Sequence, residues 1–177
     1  MYTKNEQFTG GDFMEILVKK AKKGDTDAFA QLIRMNAQNM YKVAWAYLKN
    51  EEDAADAIQE TILICYEKLG TLKKSKYFKT WLIRILMNQC NDLLKTRRRE
   101  TGEFEQAETA YEESGYHECE WKEILLKLDE KYRVIVTLYY GQGLSVKEIS
   151  KLLELNQNTV LTRLSRAREK LRKEYEM

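Results

Sequence analysis

The sequence predicts an all-α protein of two small helical domains joined by an acidic linker. Three observations carry this. The 177-residue chain has no proline and few glycines. It is rich in Leu, Lys, Glu, Ala and Gln, which lose little rotamer freedom in a helix. Its apolar residues recur at spacings of three and four. The length suits one ordinary domain or two small ones, and charge decides between them. A net charge of +2 hides a run of nine glutamates between residues 100 and 123, opposed only by Lys122. Residues 101–119 also lack large aliphatic side chains and contain Gly102 and Gly115, a composition unable to bury a core. The expected organisation is therefore a loose tail at 1–11, a first domain at 12–99, an acidic linker at 100–120 and a second domain at 121–177.

A short helix is expected at 13–22. Asp25 can cap a second helix carrying Ala28, Leu32, Met40, Val43, Ala44, Tyr47 and Leu48. Asn50 or Glu51 opens a third, with Ala54, Ile58, Ile62, Cys65 and Leu69 on one face and a stop at Gly70. After a lysine-rich turn, a fourth helix at 77–95 carries Phe78, Leu82, Ile85, Leu86 and Leu93. Beyond the linker, helices are expected at 121–128 and 130–140, separated near Asp129 and ended by Gly141-Gln142-Gly143. Ser145 and Glu148 then form a capping box, in which hydroxyl and carboxylate satisfy each other's exposed backbone donors. That helix ends near Leu153. Glu154-Leu155-Asn156 is a three-residue turn, and Asn156 can cap a last helix running to about Lys173. Two helices joined in this way form a helix-turn-helix unit.

Val146, Ile149, Leu152, Leu153, Leu155, Val160 and Leu164 are expected to pack that unit together. Its second helix presents Asn158, Thr159, Leu161, Thr162, Arg163, Ser165 and Arg166, and Glu169 is the only acid between Asn156 and Lys173. A recognition helix reads base edges from its first turns while Arg and Lys further along hold phosphates. A second signal lies on the fourth helix. Tyr77, Trp81, Arg84, Asn88, Asn91 and Lys95 form one stripe, preceded by Lys73, Lys74 and Lys76. Aromatics interleaved with cations suit single-stranded DNA, because unstacked bases stack on rings while ammonium groups follow the backbone. Trp81 is the member most prone to sit in the core instead. On the third helix, Asp53, Asp56, Gln59, Glu60 and Glu67 make an acidic face that should repel DNA. Its natural partner is a basic protein surface or water.

These residues resemble a known family. Asp53-Ala54-Ala55-Asp56-Ala57-Ile58-Gln59-Glu60-Thr61 is similar to region 2.2 of the extracytoplasmic-function sigma factors. Tyr77-Phe78-Lys79-Thr80-Trp81-Leu82-Ile83-Arg84-Ile85 resembles their regions 2.3 and 2.4. The stretches Gly143-Leu144-Ser145-Val146-Lys147-Glu148-Ile149 and Thr159-Val160-Leu161-Thr162-Arg163-Leu164-Ser165-Arg166-Ala167-Arg168 resemble region 4.2. The resemblance implies an alternative sigma factor that binds core RNA polymerase and directs promoter-specific initiation. Asp53, Asp56, Gln59 and Glu60 would dock on the β′ clamp helices, with the β flap as a further contact. Lys73, Lys74, Lys76, Tyr77, Trp81, Arg84 and Asn88 would open and hold the −10 element of promoter DNA, and the last helix would read the −35 element. It also implies a part in stress response and an anti-sigma partner, of a kind often membrane-bound. Leu161 and Asn158 depart from the family pattern of a basic residue and a glycine. An apolar side chain at 161 can touch a thymine methyl but holds no phosphate.

The alternative is a stand-alone helix-turn-helix regulator, whose first domain binds an effector or dimerises. An enzyme is not expected: there is one histidine, no glycine-rich phosphate loop, and no nucleophile with an evident base. No cofactor or metal is expected, since Cys65, Cys90 and Cys119 lack metal-ligand spacing. The polar start and the lack of a long apolar run imply no membrane insertion and a cytoplasmic location.

Overall fold

A computed structural model describes residues 10–101 and 116–175, and among them every regular element is helical. Helix α1 (Gly10–Ala21) leads through a turn at Gly24, whose φ of 93° lies in the left-handed region that glycine tolerates. Asp25 then caps α2 (Thr26–Leu48), its Oδ1 accepting the Ala28 N–H at 2.9 Å. Lys49 closes α2 in the left-handed conformation. Asn50 caps α3 (Glu51–Lys68) in the same manner, accepting the Asp53 N–H at 2.9 Å. Glu51, Glu52 and Asp53 in the first turn of α3 complement its dipole. Short 3₁₀ turns at Leu69–Thr71 and Ser75–Tyr77 bracket the lysine loop, and α4 (Phe78–Thr101) follows. The second unit holds α5 (Tyr116–Leu126), α6 (Glu130–Val136), a π turn (Thr137–Gly141), α7 (Val146–Leu153) and α8 (Gln157–Tyr175).

Several boundaries differ from expectation. Tyr77 belongs to the 3₁₀ turn rather than to the fourth helix. That helix continues past residue 95 to Thr101, and Arg97 on the added turn forms an ion pair with Asp53. Both ends of the stretch assigned to the linker are helical, since α4 reaches Thr101 and α5 begins at Tyr116. Residues 1–9 of the tail and 102–115 of the linker lie outside the described residues. The helix expected at 130–140 widens after Val136 into a π turn, with the Gln142 N–H bonded to the Thr137 carbonyl.

The first unit packs α1–α4 around Val18, Leu32, Met40, Ala44, Phe78, Leu82, Leu86 and Cys90. The second packs Ile135, Leu138, Ile149, Val160 and Leu164. The two cores are continuous, forming one cluster of buried apolar residues, and a smaller cluster joins Trp45 to Leu125, Leu128, Tyr132 and Ala167. Residues 43–48 of α2 are consequently buried on every side. A helix apolar all round has neighbours all round: Val43, Ala44 and Tyr47 belong to the shared core, Trp45 packs in the smaller cluster, and the Ala46 carbonyl accepts from Arg133.

Candidate nucleic-acid interface

Local hydrogen bonds build the helix-turn-helix. Ser145 Oγ accepts the Glu148 N–H, while Glu148 Oε2 accepts the Ser145 N–H at 2.9 Å and its hydroxyl at 2.7 Å. Those bonds from the Ser145 side chain and backbone hold the Glu148 carboxyl below its usual range. Glu154 turns the chain at φ 54°, and the Ser150 hydroxyl donates to the Leu155 carbonyl at 2.6 Å. Asn156 Oδ1 then accepts the Asn158 N–H at 2.8 Å, so both expected caps are in place. Val160, Leu164 and Ala167 lock α8 inward. Asn158, Leu161, Thr162, Ser165 and Arg166 are exposed, with Thr159 and Arg163 half-buried beside them.

A cleft of about 390 Å³ runs between α6 and α8, lined by Lys131, Tyr132, Asn158, Thr159, Thr162, Arg163 and Arg166. Lys131 was missed by sequence reasoning. It lies far upstream of the recognition helix, and only the packing of α6 on α8 brings its charge to that surface.

Lys73, Lys74, Lys76 and Tyr77 are exposed on their loop. The loop is braced from the turn after α1, where Lys22 Nζ donates to the Leu72 carbonyl at 2.7 Å. Lys76 Nζ stands 5.1 Å from the Tyr77 ring centre, keeping cation and aromatic together. Further along α4 the stripe is less free. Trp81 is half-buried against the core with its ring 6.2 Å from that of Phe78, and it does not stand clear of the apolar face as the periodicity suggested. Arg84 Nη2 donates to the Lys151 carbonyl on α7 at 3.1 Å. Lys79, one turn from the loop, donates to the Gln142 carbonyl at 2.6 Å, and burial lowers its pKa. Asn88 is exposed.

On α3, Asp56, Gln59 and Glu60 are exposed. Asp53 is engaged internally, because its carboxylate pairs with Arg97; burial raises its pKa while Arg97 opposes the rise. Leu63 and Tyr66, 60% and 57% exposed, lie one turn beyond the acids. Sequence reasoning followed the inward-facing Ile62 and Cys65 and passed over this outward apolar pair. An apolar centre beside acidic residues has the composition of a protein-docking surface.

Residues 32–100 match the family model for sigma-70 region 2, and residues 120–171 that for sigma-70 region 4. The extracytoplasmic-function RNA polymerase sigma factor SigW of Bacillus subtilis is 31% identical over 91% of this chain and 98% of its own. The chain belongs to the extracytoplasmic-function sigma factors. SigM of Mycobacterium tuberculosis is 28% identical over 84% of this chain and 77% of its own. The structure of CnrH in complex with the cytosolic domain of CnrY matches with 27% identity and a TM-score of 0.69, covering 93% of this chain and 98% of that one. The sigma factor RpoE of Bartonella quintana, in complex with the anti-sigma factor NepR, shares the fold at 22% identity and a TM-score of 0.72 over 84% of this chain and 97% of that one.

As an alternative sigma factor the protein directs transcription initiation. The acidic face and the stripe both fall within its region 2, and the capped helix-turn-helix within its region 4. The turn after α1 precedes the region 2 match, yet it braces the lysine loop through Lys22. Burial pushes the Cys65 and Cys90 thiols up to about 12, which keeps them protonated and unreactive. Among the described residues no cluster of His, Cys, Asp and Glu could hold a metal, and no helix is long and apolar enough to cross a membrane.

Proposed function

We propose that the sigma factor divides its work among three surfaces. Asp56, Gln59 and Glu60, with Leu63 and Tyr66 beside them, dock on the β′ clamp helices of core polymerase, with region 4 meeting the β flap. Lys73, Lys74, Lys76 and Tyr77, continued by Trp81, Arg84 and Asn88, open and hold the −10 element. Asn158, Thr159, Leu161, Thr162, Arg163, Ser165 and Arg166 read the −35 element in duplex form. The observation that carries the reading is the geometry of α8. Val160, Leu164 and Ala167 anchor it, while one continuous polar and basic face remains open to a major groove.

Physical chemistry separates the roles. Exposed carboxylates repel phosphate and attract a basic protein. A ring beside an ammonium binds an unstacked base and its backbone together. The amides and hydroxyls of Asn158, Thr162 and Ser165 suit base edges, and Arg163 and Arg166 suit guanine or phosphate. Leu161, 52% exposed, offers an apolar contact to a thymine methyl. The protein works in the cytoplasm and is held in check by an anti-sigma factor, as CnrH is seen with CnrY and RpoE with NepR.

Run-off transcription with purified core polymerase on fragmented genomic DNA tests this. The expected result is a small set of new start sites that appear only when this protein is added. A stand-alone regulator would instead bind duplex DNA tightly without polymerase and generate no start sites of its own.

A further inference from the structure

Helix α8 presents two edges, one on each side of its buried line of Val160, Leu164 and Ala167. One residue behind each of these lie Thr159, Arg163 and Arg166, the edge that shares a cleft with Lys131. One residue ahead of each lie Leu161, Ser165 and Arg168, and all three are exposed. Leu161 and Ser165 carry no charge, so Arg168 is the first cation met along this second edge.

Arg168 is held by a neutral partner. Its Nε donates to the Tyr140 hydroxyl at 2.7 Å, and its guanidinium carbon lies 5.8 Å from the Tyr140 ring centre. Tyr140 is 58% exposed, yet it is braced: its ring meets that of Tyr139 edge to face at 4.9 Å, and Tyr139 packs against the core. The π turn Thr137–Gly141, which carries both rings, thus fixes a guanidinium on another helix. Lys170 and Lys173 on α8 are paired with Asp129 and Glu169. Among the described residues Arg168 is paired with no carboxylate. A phenol oxygen bears no charge, so the full charge of Arg168 stays available. The bond engages Nε and leaves the two terminal nitrogens of the fork as donors for an anion. Prior fixing also lessens the side-chain entropy that an exposed arginine loses on binding.

A major groove about 12 Å wide has a phosphate wall on each side of a helix lying in it. Arg168 follows Leu161 by seven residues, two helical turns or about 10 Å along the axis. A recognition helix reads bases with its first turns and meets the backbone beyond them. Leu161 therefore stands at the level of the bases, and Arg168 at the wall.

We infer that Arg168 is a phosphate anchor for the DNA strand opposite the one faced by Lys131, Arg163 and Arg166, and that Tyr140 is its positioning residue. The inference rests on the assignment of α8 to duplex DNA made above. Anchors on both walls fix the rotation of α8 about its own axis, which contact on one wall leaves free. Phosphates carry no sequence, so the anchor sets affinity and orientation while base choice stays with residues nearer the start of the helix.

The test uses the full chain and a fluorescent mixed-sequence DNA duplex titrated at several salt concentrations, since a phosphate contact needs no particular promoter. Each phosphate neutralised contributes about 0.9 to the slope of log affinity against log salt. Arg168→Ala should lower that slope by about one and weaken binding roughly fivefold at low salt, with an unchanged melt because the side chain is exposed. Arg168→Lys should restore the slope. Tyr140→Phe removes the hydroxyl and keeps the ring; it should weaken binding roughly twofold in the wild type and not at all in the Arg168→Ala background. Equal losses in both backgrounds overturn the positioning role. Arg166→Ala is the control on the other edge. If it lowers the slope while Arg168→Ala does not, the anchor is overturned and the duplex assignment of α8 stands. If neither lowers it, that assignment fails and the anchor falls with it.

Discussion

Reversing the charge of both exposed acids on α3, Asp56→Arg with Glu60→Arg, separates docking from folding. Neither side chain is buried, so the fold should change by no more than about 0.5 kcal/mol. At a docked interface each reversal removes an attraction of about 0.5–1 kcal/mol and adds a repulsion of similar size, or about 1–2 kcal/mol per site. Together they cost about 2–4 kcal/mol, a loss of roughly 30- to 700-fold in affinity for core polymerase. The assay is competition for core polymerase against a labelled reference sigma factor, with the far-UV circular dichroism melt as the folding control. Asp53→Asn provides the contrast. It removes an ion pair to Arg97 inside the bundle, so it should shift the melt more than the competition. An affinity of the double reversal within threefold of wild type, with an unchanged melt, would refute the assignment of this face.

Lys131→Ala should weaken duplex binding by polymerase holoenzyme similarly on all −35 sequences and reduce the salt slope by about one, whereas Arg166→Ala should cost about 1–3 kcal/mol and relax preference at one position; footprint titrations at two salt concentrations distinguish them. Tyr77→Ala with Arg84→Ala should reduce permanganate reactivity of the melted region while leaving recruitment to duplex promoter intact, and equal reactivity would count against the stripe. Ser145→Ala removes the hydroxyl half of the capping box and should cost about 1 kcal/mol, a fall of roughly 2–4 °C in Tm for a chain of this size. Glu148 has a folded-state pKa below its unfolded one, so its contribution is complete above about pH 4.3 and is lost as pH falls through the lower folded value. The Tm difference between wild type and Glu148→Gln should therefore narrow below about pH 4, and a constant difference would refute the sign.

Much of the fold is legible in the sequence because its punctuation is local. Asp25, Asn50, Ser145 and Asn156 each accept a backbone N–H two or three residues ahead, so a short window contains the whole interaction. The helix-turn-helix is legible for the same reason, and so is the exposure of Asn158, Leu161, Thr162 and Arg166. The candidate surfaces are less completely legible. Periodicity shows which side of a helix a residue occupies but not what packs there, so Asp53 reads like Asp56 until Arg97 is seen across the groove. Trp81, the stripe member most prone to sit in the core, is shown to be half-buried only by what packs on it.

By itself the sequence determined the helices, their caps and the chemistry of three faces: acidic on α3, aromatic and basic before and along α4, basic on α8. Tertiary structure alone decided which members of those faces are available. The two units that carry those faces are joined by contacts between residues far apart in the chain: 71 positions from Lys122 to Glu51, 87 from Arg133 to Ala46 and 103 from Gln142 to Asn39. The reason is physical. A cap or a helical repeat is settled within a few residues by backbone hydrogen bonding, whereas burial of Trp45, Ala46, Lys122 and Arg133 requires a second folded surface to remove them from water.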